Sequence, residues 1–562
     1  MKRGPVALVI GILVLAIVIP VSGGMLGGPA PSSTSSADAG RRSPTPTSAP
    51  TPTGPSTSPA GSPSAPSASP AGSLAPLPSQ PAPSHPAAGP RTLKATAIVP
   101  VTDFRSAESG VSRAEVLAIL SGESDRYGAL ELVRSEANAI LTALEIEPSA
   151  VRAGRLIRAG SAAAVARDLA AHRDRLAFLR ADAVMPKVRA LAWGHDSLFG
   201  VGRVSSLTDW PLRATLPDRP GRRYDPARAW TLVAGGDILL DRGVAKTVKF
   251  DGRGVDFPFD GGRAEITSRY CCSSFGWELP ITARTGGAGA MRRLLSSADL
   301  AIANFENPAP DAFSFHASGT SFSADPALIE GLRNAGIDWV SLANNHIGDA
   351  GDSGILDTMR NLRDWRIRHG GAGRDVRAAT RPSILSAGTI NVGILAFDDI
   401  AGVYAASHDE AGSAHLSKSA CRSGVRAARR ARADIVIVFP HWGTEYDPTP
   451  FAGQQDVARA CLDAGADMII GNHAHWAGAM EVYDGKPIWY ALGNFVFDQT
   501  WSELTMEGIT LELTFEGAEL RQVRMRPHII LDKAQPNFLD PADDGRVVMG
   551  QIFDASAGLL PW

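Results

Sequence analysis

From Trp230 onward, short apolar runs end repeatedly in polar clusters. Residues 231–235 run into Gly236-Asp237, 300–303 into Asn304-Phe305-Glu306, and 338–343 into Asn344-Asn345-His346. Residues 435–439 run into Pro440-His441-Trp442, 468–470 into Gly471-Asn472-His473-Ala474-His475, and 488–492 into Gly493-Asn494. Continuous apolar runs of this length suit strands buried on both faces. Helical patterns fit between them at 326–335, 355–365 and 454–464. That alternation predicts an α/β layered domain with its functional groups at the carboxyl ends of the strands.

Residues 93–224 mix short apolar runs with helical stretches. A strand is expected at 95–99, stopped by Pro100, and a helix at 112–120, where Ser112 and Glu115 have capping-box spacing. The Ala/Arg/Leu-rich stretch 162–179 reads as a helix. His195 and Asp196 read as part of a loop, and no catalytic constellation is evident. This segment is expected to be an accessory α/β domain.

Composition divides the chain before that point. Lys2 and Arg3 precede an uncharged apolar run over residues 6–21, the pattern of an export signal. The run is longer than the core of a typical cleaved signal and shorter than a typical span of about 20 residues. An uncleaved membrane anchor with an extracellular domain is expected over 1–28, with secretion as the alternative; no Cys follows for lipid attachment. Residues 29–90 hold 17 of the 40 prolines, no aromatic residue and three charges, Asp38, Arg41 and Arg42. Such a stretch cannot bury enough apolar surface to offset its ordering entropy, so 29–92 is expected to be a disordered Pro/Ser/Ala-rich spacer. At ~3.1 Å per residue it would reach on the order of 190 Å at most. The working domain plan is therefore 1–28, 29–92, 93–224 and 225–562. The net charge of -3 argues against nucleic-acid binding through a bulk positive field.

The cysteines are Cys271, Cys272, Cys421 and Cys461. An extracellular location permits disulfides, and four cysteines allow three connectivities. Pairing within Cys271-Cys272 ranks last, because adjacent residues fit disulfide geometry poorly. None of the four has the spacing of a structural zinc site.

The strand ends supply the chemistry. Asp237, Glu306, Asn345, His346, His441, His473 and His475 combine carboxylate, amide and imidazole donors, a set that suits divalent Mn, Zn or Fe. If extended, His473-Ala474-His475 would project two imidazoles to one side. A carboxylate can bridge two cations, and a pair of cations activates water for displacement chemistry. Each item alone has an ordinary reading as a turn or a core histidine. Together they place four of the twelve histidines at strand ends, which favours a metal site.

At these residues the sequence resembles the CapA family of poly-γ-glutamate (capsule) biosynthesis proteins, whose domain is similar to calcineurin-like metallophosphoesterases. The resemblance is carried, in order, by residues 236–242, 303–308, 342–351, 441–446, 471–475 and 490–498. It implies a metallophosphoesterase-like sandwich and one or two divalent ions. By the same resemblance, Asp237 and His475 would hold one ion, Asn345, His441 and His473 the other, and Glu306 would bridge them. His346 would be the general acid, and Arg242 or Asn304 would orient an anionic substrate group. Leu239 stands where the wider superfamily has the histidine of Asp-x-His. Asn472 stands where the capsule-type proteins commonly have histidine. One metal position is thus short of a nitrogen ligand.

Trp442, Trp476 and Trp489 read as core or rim packing, residues 370–373 as a turn, and the arginines of 422–432 as a solvated helix face. The resemblance implies a surface-exposed, metal-dependent hydrolase-like protein working on poly-γ-glutamate or another anionic envelope polymer. The alternatives are a non-catalytic polymer-binding or assembly protein and an extracellular phosphatase or nucleotidase. The missing histidine at Leu239 counts against the last.

Overall fold

The computed structural model describes residues 92–400 and 402–559. The anchor and nearly all of the spacer expected from the sequence lie outside the described residues. Among the described residues, no helix is long and apolar enough to cross a membrane.

Residues 93–217 build a mixed six-stranded sheet. Leu93–Asp103 pairs with Arg175–Arg180 on one side and with Arg213–Pro217 and then Val188–Ala190 on the other. Arg113–Ser121 is a helix whose N-cap, Ser112, accepts from the Glu115 N–H. Only that half of the capping box forms, because the Glu115 carboxylate instead accepts from the Ser124 hydroxyl.

Two expectations for this region are corrected. The first strand continues through Pro100 to Asp103. Ile98 N donates to Leu212 O and Leu191 N to Pro100 O, so the N of residue 100 faces the changeover between its two successive partners. The hydrogen bond that proline cannot donate is therefore not required there. The helix of 162–179 stops at Ala171, and Arg175–Arg180 is a strand. Leu176, Ala177, Phe178 and Leu179 are fully buried between two neighbouring strands, and that burial overrides their helical propensity.

The remainder is a four-layer α/β sandwich, in keeping with the α/β layered domain that the apolar pattern predicted. A ten-stranded sheet has Ala229–Ile238, Leu300–Phe305, Trp339–Ser341 and Arg368–Gly370 as parallel neighbours. A six-stranded sheet has Ile390–Asp398, Ile435–His441, Met468–Ile470 and Lys486–Trp489 in parallel. Alternating side chains sort into different cores. Leu232, Ala234, Ile302, Ile437 and Phe439 meet between the sheets. Val233, Ala301 and Ala303 face outward onto helices Ala290–Ser296, Ile329–Ala335 and Gly351–Asp364. Val436 and Val438 face outward onto helices Lys418–Arg430 and Ala452–Asp463. Both faces of each parallel region are covered, which is why these strands read as unbroken apolar runs.

Those last two helices carry Cys421 and Cys461, buried and bridged with Cα atoms 5.6 Å apart. Cys271 and Cys272 are bonded to each other at an exposed hairpin end, correcting the rank given to adjacent pairing. With the two helical cysteines facing each other in the core, each hairpin thiol has only its neighbour. Trp442 and Trp489 are core residues. Trp476 lies half-buried at the rim against Trp277 and Tyr446.

Candidate metal centre

Parallel pairing brings the carboxyl ends of the strands to one edge. Asn304 is in register with Asp237, Asp398 with His441, and Asn494 with Asp237. The two sheets pack face to face, so the polar ends of one meet those of the other. Asp237, Glu306, His441, His473 and His475 converge there, each at most 4% exposed.

The donors fall into two sets that share Glu306. In the first, His441 Nε2 lies 2.8 Å from Asn345 Oδ1, 3.1 Å from His473 Nδ1 and 3.7 Å from Glu306 Oε1. In the second, His475 Nδ1 is 3.8 Å from Asp237 Oδ2, and its Nε2 is 3.8 Å from Glu306 Oε1. Ligand atoms about 2 Å from a common cation sit roughly 3–3.5 Å from one another. The first set already approaches that spacing, and the second is slightly wider.

His473 and His475 reach these places differently from the expected extended segment. The strand ends at Ile470, and both histidines have left-handed backbone, φ 94° and 56°. Non-glycine residues in that region are costly and persist where surroundings hold them. The His473 N–H donates to Asp237 Oδ2 at 3.1 Å, and the Ala474 carbonyl accepts from Tyr446 N at 2.9 Å.

Neighbouring amides set the imidazole orientation. Asn494 donates through Nδ2 to Gln499 Oε1 and to the Thr505 carbonyl, so its Oδ1 faces His475 Nδ1 at 2.9 Å as an acceptor. His475 then carries its proton on Nδ1 and aims the Nε2 lone pair at the shared carboxylate. An outer hydrogen bond of this kind fixes ring orientation and raises ligand basicity. Asn494→Ala is expected to weaken divalent-metal affinity about 10–100-fold, read by competition with a chromophoric chelator. Unchanged affinity would show that His475 needs no such support.

The electrostatics fit a cation. Burial raises the Asp237 carboxyl to about 6, against hydrogen bonds from Asn304 and the His473 N–H that lower it. Glu306 is pushed well above the usual carboxylate range, first by burial and then by the charge of Asp237. Burial holds His441 well below its ordinary value and brings His473 and His475 down to about 3. Neutral imidazoles are the ligating form, and two crowded carboxylates are the groups a positive charge would relieve. Glu306 Oε1 is buried without a hydrogen-bond partner, at the point where both donor sets meet. The residues present therefore fit divalent ions.

Leu239 is fully buried in a small apolar cluster with Phe322, Phe497 and Ile530 and offers no ligand. Asn472 is buried with neither side-chain polar atom paired. His346 belongs to neither donor set but stands close enough that its charge opposes protonation of His441, His473 and His475. Its Nδ1 donates to Asp349 Oδ2 at 2.9 Å, and its ring lies 4.1 Å from that of Phe322.

Asn304 and Arg242 face the protein's own groups. Asn304 is fully buried and donates to Asp237 Oδ1 at 2.8 Å, with His441 Nδ1 at 3.1 Å. The Arg242 guanidinium binds Asp498 and the Gly319 carbonyl, beside the rings of Phe322 and Phe497. Sequence reasoning passed over Asp349 and Asn494. Asp349 follows His346 by three positions and Asn494 ends an apolar run, but neither signal names the atom each would hold.

Residues 231–499 match the family model described as bacterial capsule synthesis protein PGA_cap. The chain is 32% identical over 275 residues to the capsule biosynthesis protein CapA of Bacillus anthracis, covering 47% of this chain and 66% of that one. It is 32% identical over 213 residues to the PGA biosynthesis protein CapA of Bacillus subtilis, covering 37% and 56%. It thus spans just under two thirds of the first relative and a little over half of the second. Among solved structures, the NAD nucleotidase of Haemophilus influenzae aligns at 12% identity and a TM-score of 0.33, covering 59% of this chain and 63% of that one.

Proposed function

We propose, from the match of residues 231–499 to the bacterial capsule synthesis protein model, that this chain is a surface-anchored, metal-dependent hydrolase acting on an anionic envelope polymer. Poly-γ-glutamate is the leading candidate, in its synthesis, export or processing. The names of the two Bacillus relatives support the polymer class. The positively flanked apolar run and the Pro-rich spacer support the surface location. The observation that carries the hydrolase reading is the single carboxylate, Glu306, shared by two donor sets whose imidazoles are held neutral by burial.

One or two ions of Mn, Zn or Fe, held by Asp237, Glu306 and His475 and by Glu306, Asn345, His441 and His473, would supply Lewis acidity and an activated water. The protein's own part is to hold these donors in register and to deliver a proton. His346 is the proton donor to the leaving group, from Nε2, since Nδ1 is committed to Asp349. Asp349 fixes the ring and offsets the positive charge that a second proton brings. Asn304 holds Asp237 and His441 from behind, out of reach of substrate.

The test combines metal analysis with hydrolysis of a phosphodiester and of a γ-glutamyl oligomer by wild type and His441→Ala. Wild type is expected to hold metal and turn over one of the two substrates. His441→Ala is expected to lose both properties while keeping its circular-dichroism spectrum. Folded wild type without metal overturns the reading. Metal without turnover of either substrate overturns the hydrolase assignment and points to a polymer-binding role.

A further inference from the structure

A cavity of about 690 Å³ lies where strand Val188–Ala190 approaches strand Glu519–Leu531. None of the metal donors lines it. Arg189 and Arg526 form part of its wall, and Arg524 lies beside them. Arg189 is 8% exposed; its Nη1 donates to the Ser106 carbonyl, but its Nε has no partner. Arg524 Nε is likewise buried without a partner.

One buried carboxylate, Glu512, faces all three guanidiniums. It accepts from Arg526 Nε at 2.6 Å and from Val201 N at 2.7 Å, and lies 3.8 Å from Arg524 Nη1. Glu108, the other acidic group near Arg189, is itself paired with Arg126. The inner end of the cavity therefore holds more positive than negative charge. Burial, then the charges of Arg524 and Arg526, bring the Arg189 guanidinium down to about 9. The rim is mixed, with exposed Arg263 and Arg293 set against exposed Glu265, Asp540 and Asp543 and against half-buried Asp544, whose Oδ2 accepts from Ile266 N. A polyanion gains little at such a rim, whereas a single anionic group reaching the inner end gains much.

Buried cations are retained when something pairs with them, and the planar guanidinium fork matches carboxylate and phosphate oxygens. We propose that this cavity is a binding site for a small molecule bearing one carboxylate or phosphate group, gripped by Arg189 with Arg524 and Arg526 behind it. The site is separate from the metal centre and does not depend on the hydrolase reading.

The experiment is calorimetric titration and thermal melting of the full chain with L-glutamate and, separately, inorganic phosphate, against sodium chloride at equal ionic strength. It is run in wild type and in His441→Ala, so that phosphate bound at the metal centre is excluded. Saturable binding with a raised Tm is expected in both backgrounds. Response to glutamate alone identifies a carboxylate ligand, and response to phosphate alone a phosphate ligand. Arg189→Met is expected to weaken binding at least about tenfold and, free of ligand, to melt no lower than wild type, because it removes an uncompensated buried charge. Should that variant fail to fold, Arg189→Lys keeps the charge and loses the fork, and the same tenfold loss is expected. Binding of neither anion at millimolar concentration, or equal binding by wild type and the folded Arg189 variant, overturns the proposal.

Discussion

Glu306→Gln is expected to abolish stoichiometric divalent-metal binding and to raise the melting temperature of the metal-free protein. The two effects have one cause. Glu306 is fully buried, has an oxygen without a hydrogen-bond partner, and faces the carboxylate of Asp237. With cations present it is the ligand common to both donor sets. Without them its ionisation would leave a buried charge with no compensation, which is costly. Its pKa is raised in the folded state, so the folded protein keeps a proton that the unfolded chain releases. That contribution to stability is complete below the unfolded value of about 4.5 and is lost as pH rises toward the folded value. Chelator-treated wild type should therefore lose stability as pH rises above about 4.5, with Asp237 adding to the loss up to about 6. The variant should lose less and melt a few degrees higher at pH 7–8, since each kcal/mol moves Tm by about 2–4 °C in domains of about 150–250 residues. Melting curves across pH, paired with metal analysis, check both parts. Retained metal, or an unchanged melting profile, would refute the shared-carboxylate account.

His346→Gln is expected to lower turnover by about 10²–10⁴-fold while leaving metal content at the wild-type level. His346 lies outside both donor sets, so the two readouts separate proton delivery from metal binding. The leaving group discriminates further. A general acid matters most when the departing oxygen or nitrogen is strongly basic, so the loss should shrink for a nitrophenyl ester and be largest for an alkyl ester or amide. A loss of equal size for every leaving group would mean that the ring serves only its packing against Phe322. Asp349→Asn should give a smaller loss, because it disturbs the ring without removing the donor.

Much of the fold was legible because the sheets are buried on both faces. Residues 232–235, 300–303, 435–439 and 468–470 are apolar at every position, and each lies within the strand its pattern predicts. Legibility failed where a neighbour changed the outcome. Residues 175–179 carry helical propensity, yet two flanking strands make them a strand. Pro100 should have ended a strand, yet a change of partner removes the need for its hydrogen bond. The adjacent cysteines looked like poor partners, yet the packing of two helices commits Cys421 to Cys461.

The site divides along the same line. Residue identity named the candidate chemistry, because carboxylate, amide and imidazole side chains cluster where those strands end, and alternation of strand with helix puts such ends on one edge. Tertiary structure decided which donors share a centre, which nitrogen of His475 faces it, and that Arg242 is taken up by Asp498. Those outcomes depend on atoms a few ångströms apart but distant along the chain. Local pattern fixes the direction of a strand and the face of a side chain, while the packing of one sheet on the other sets the distances between them.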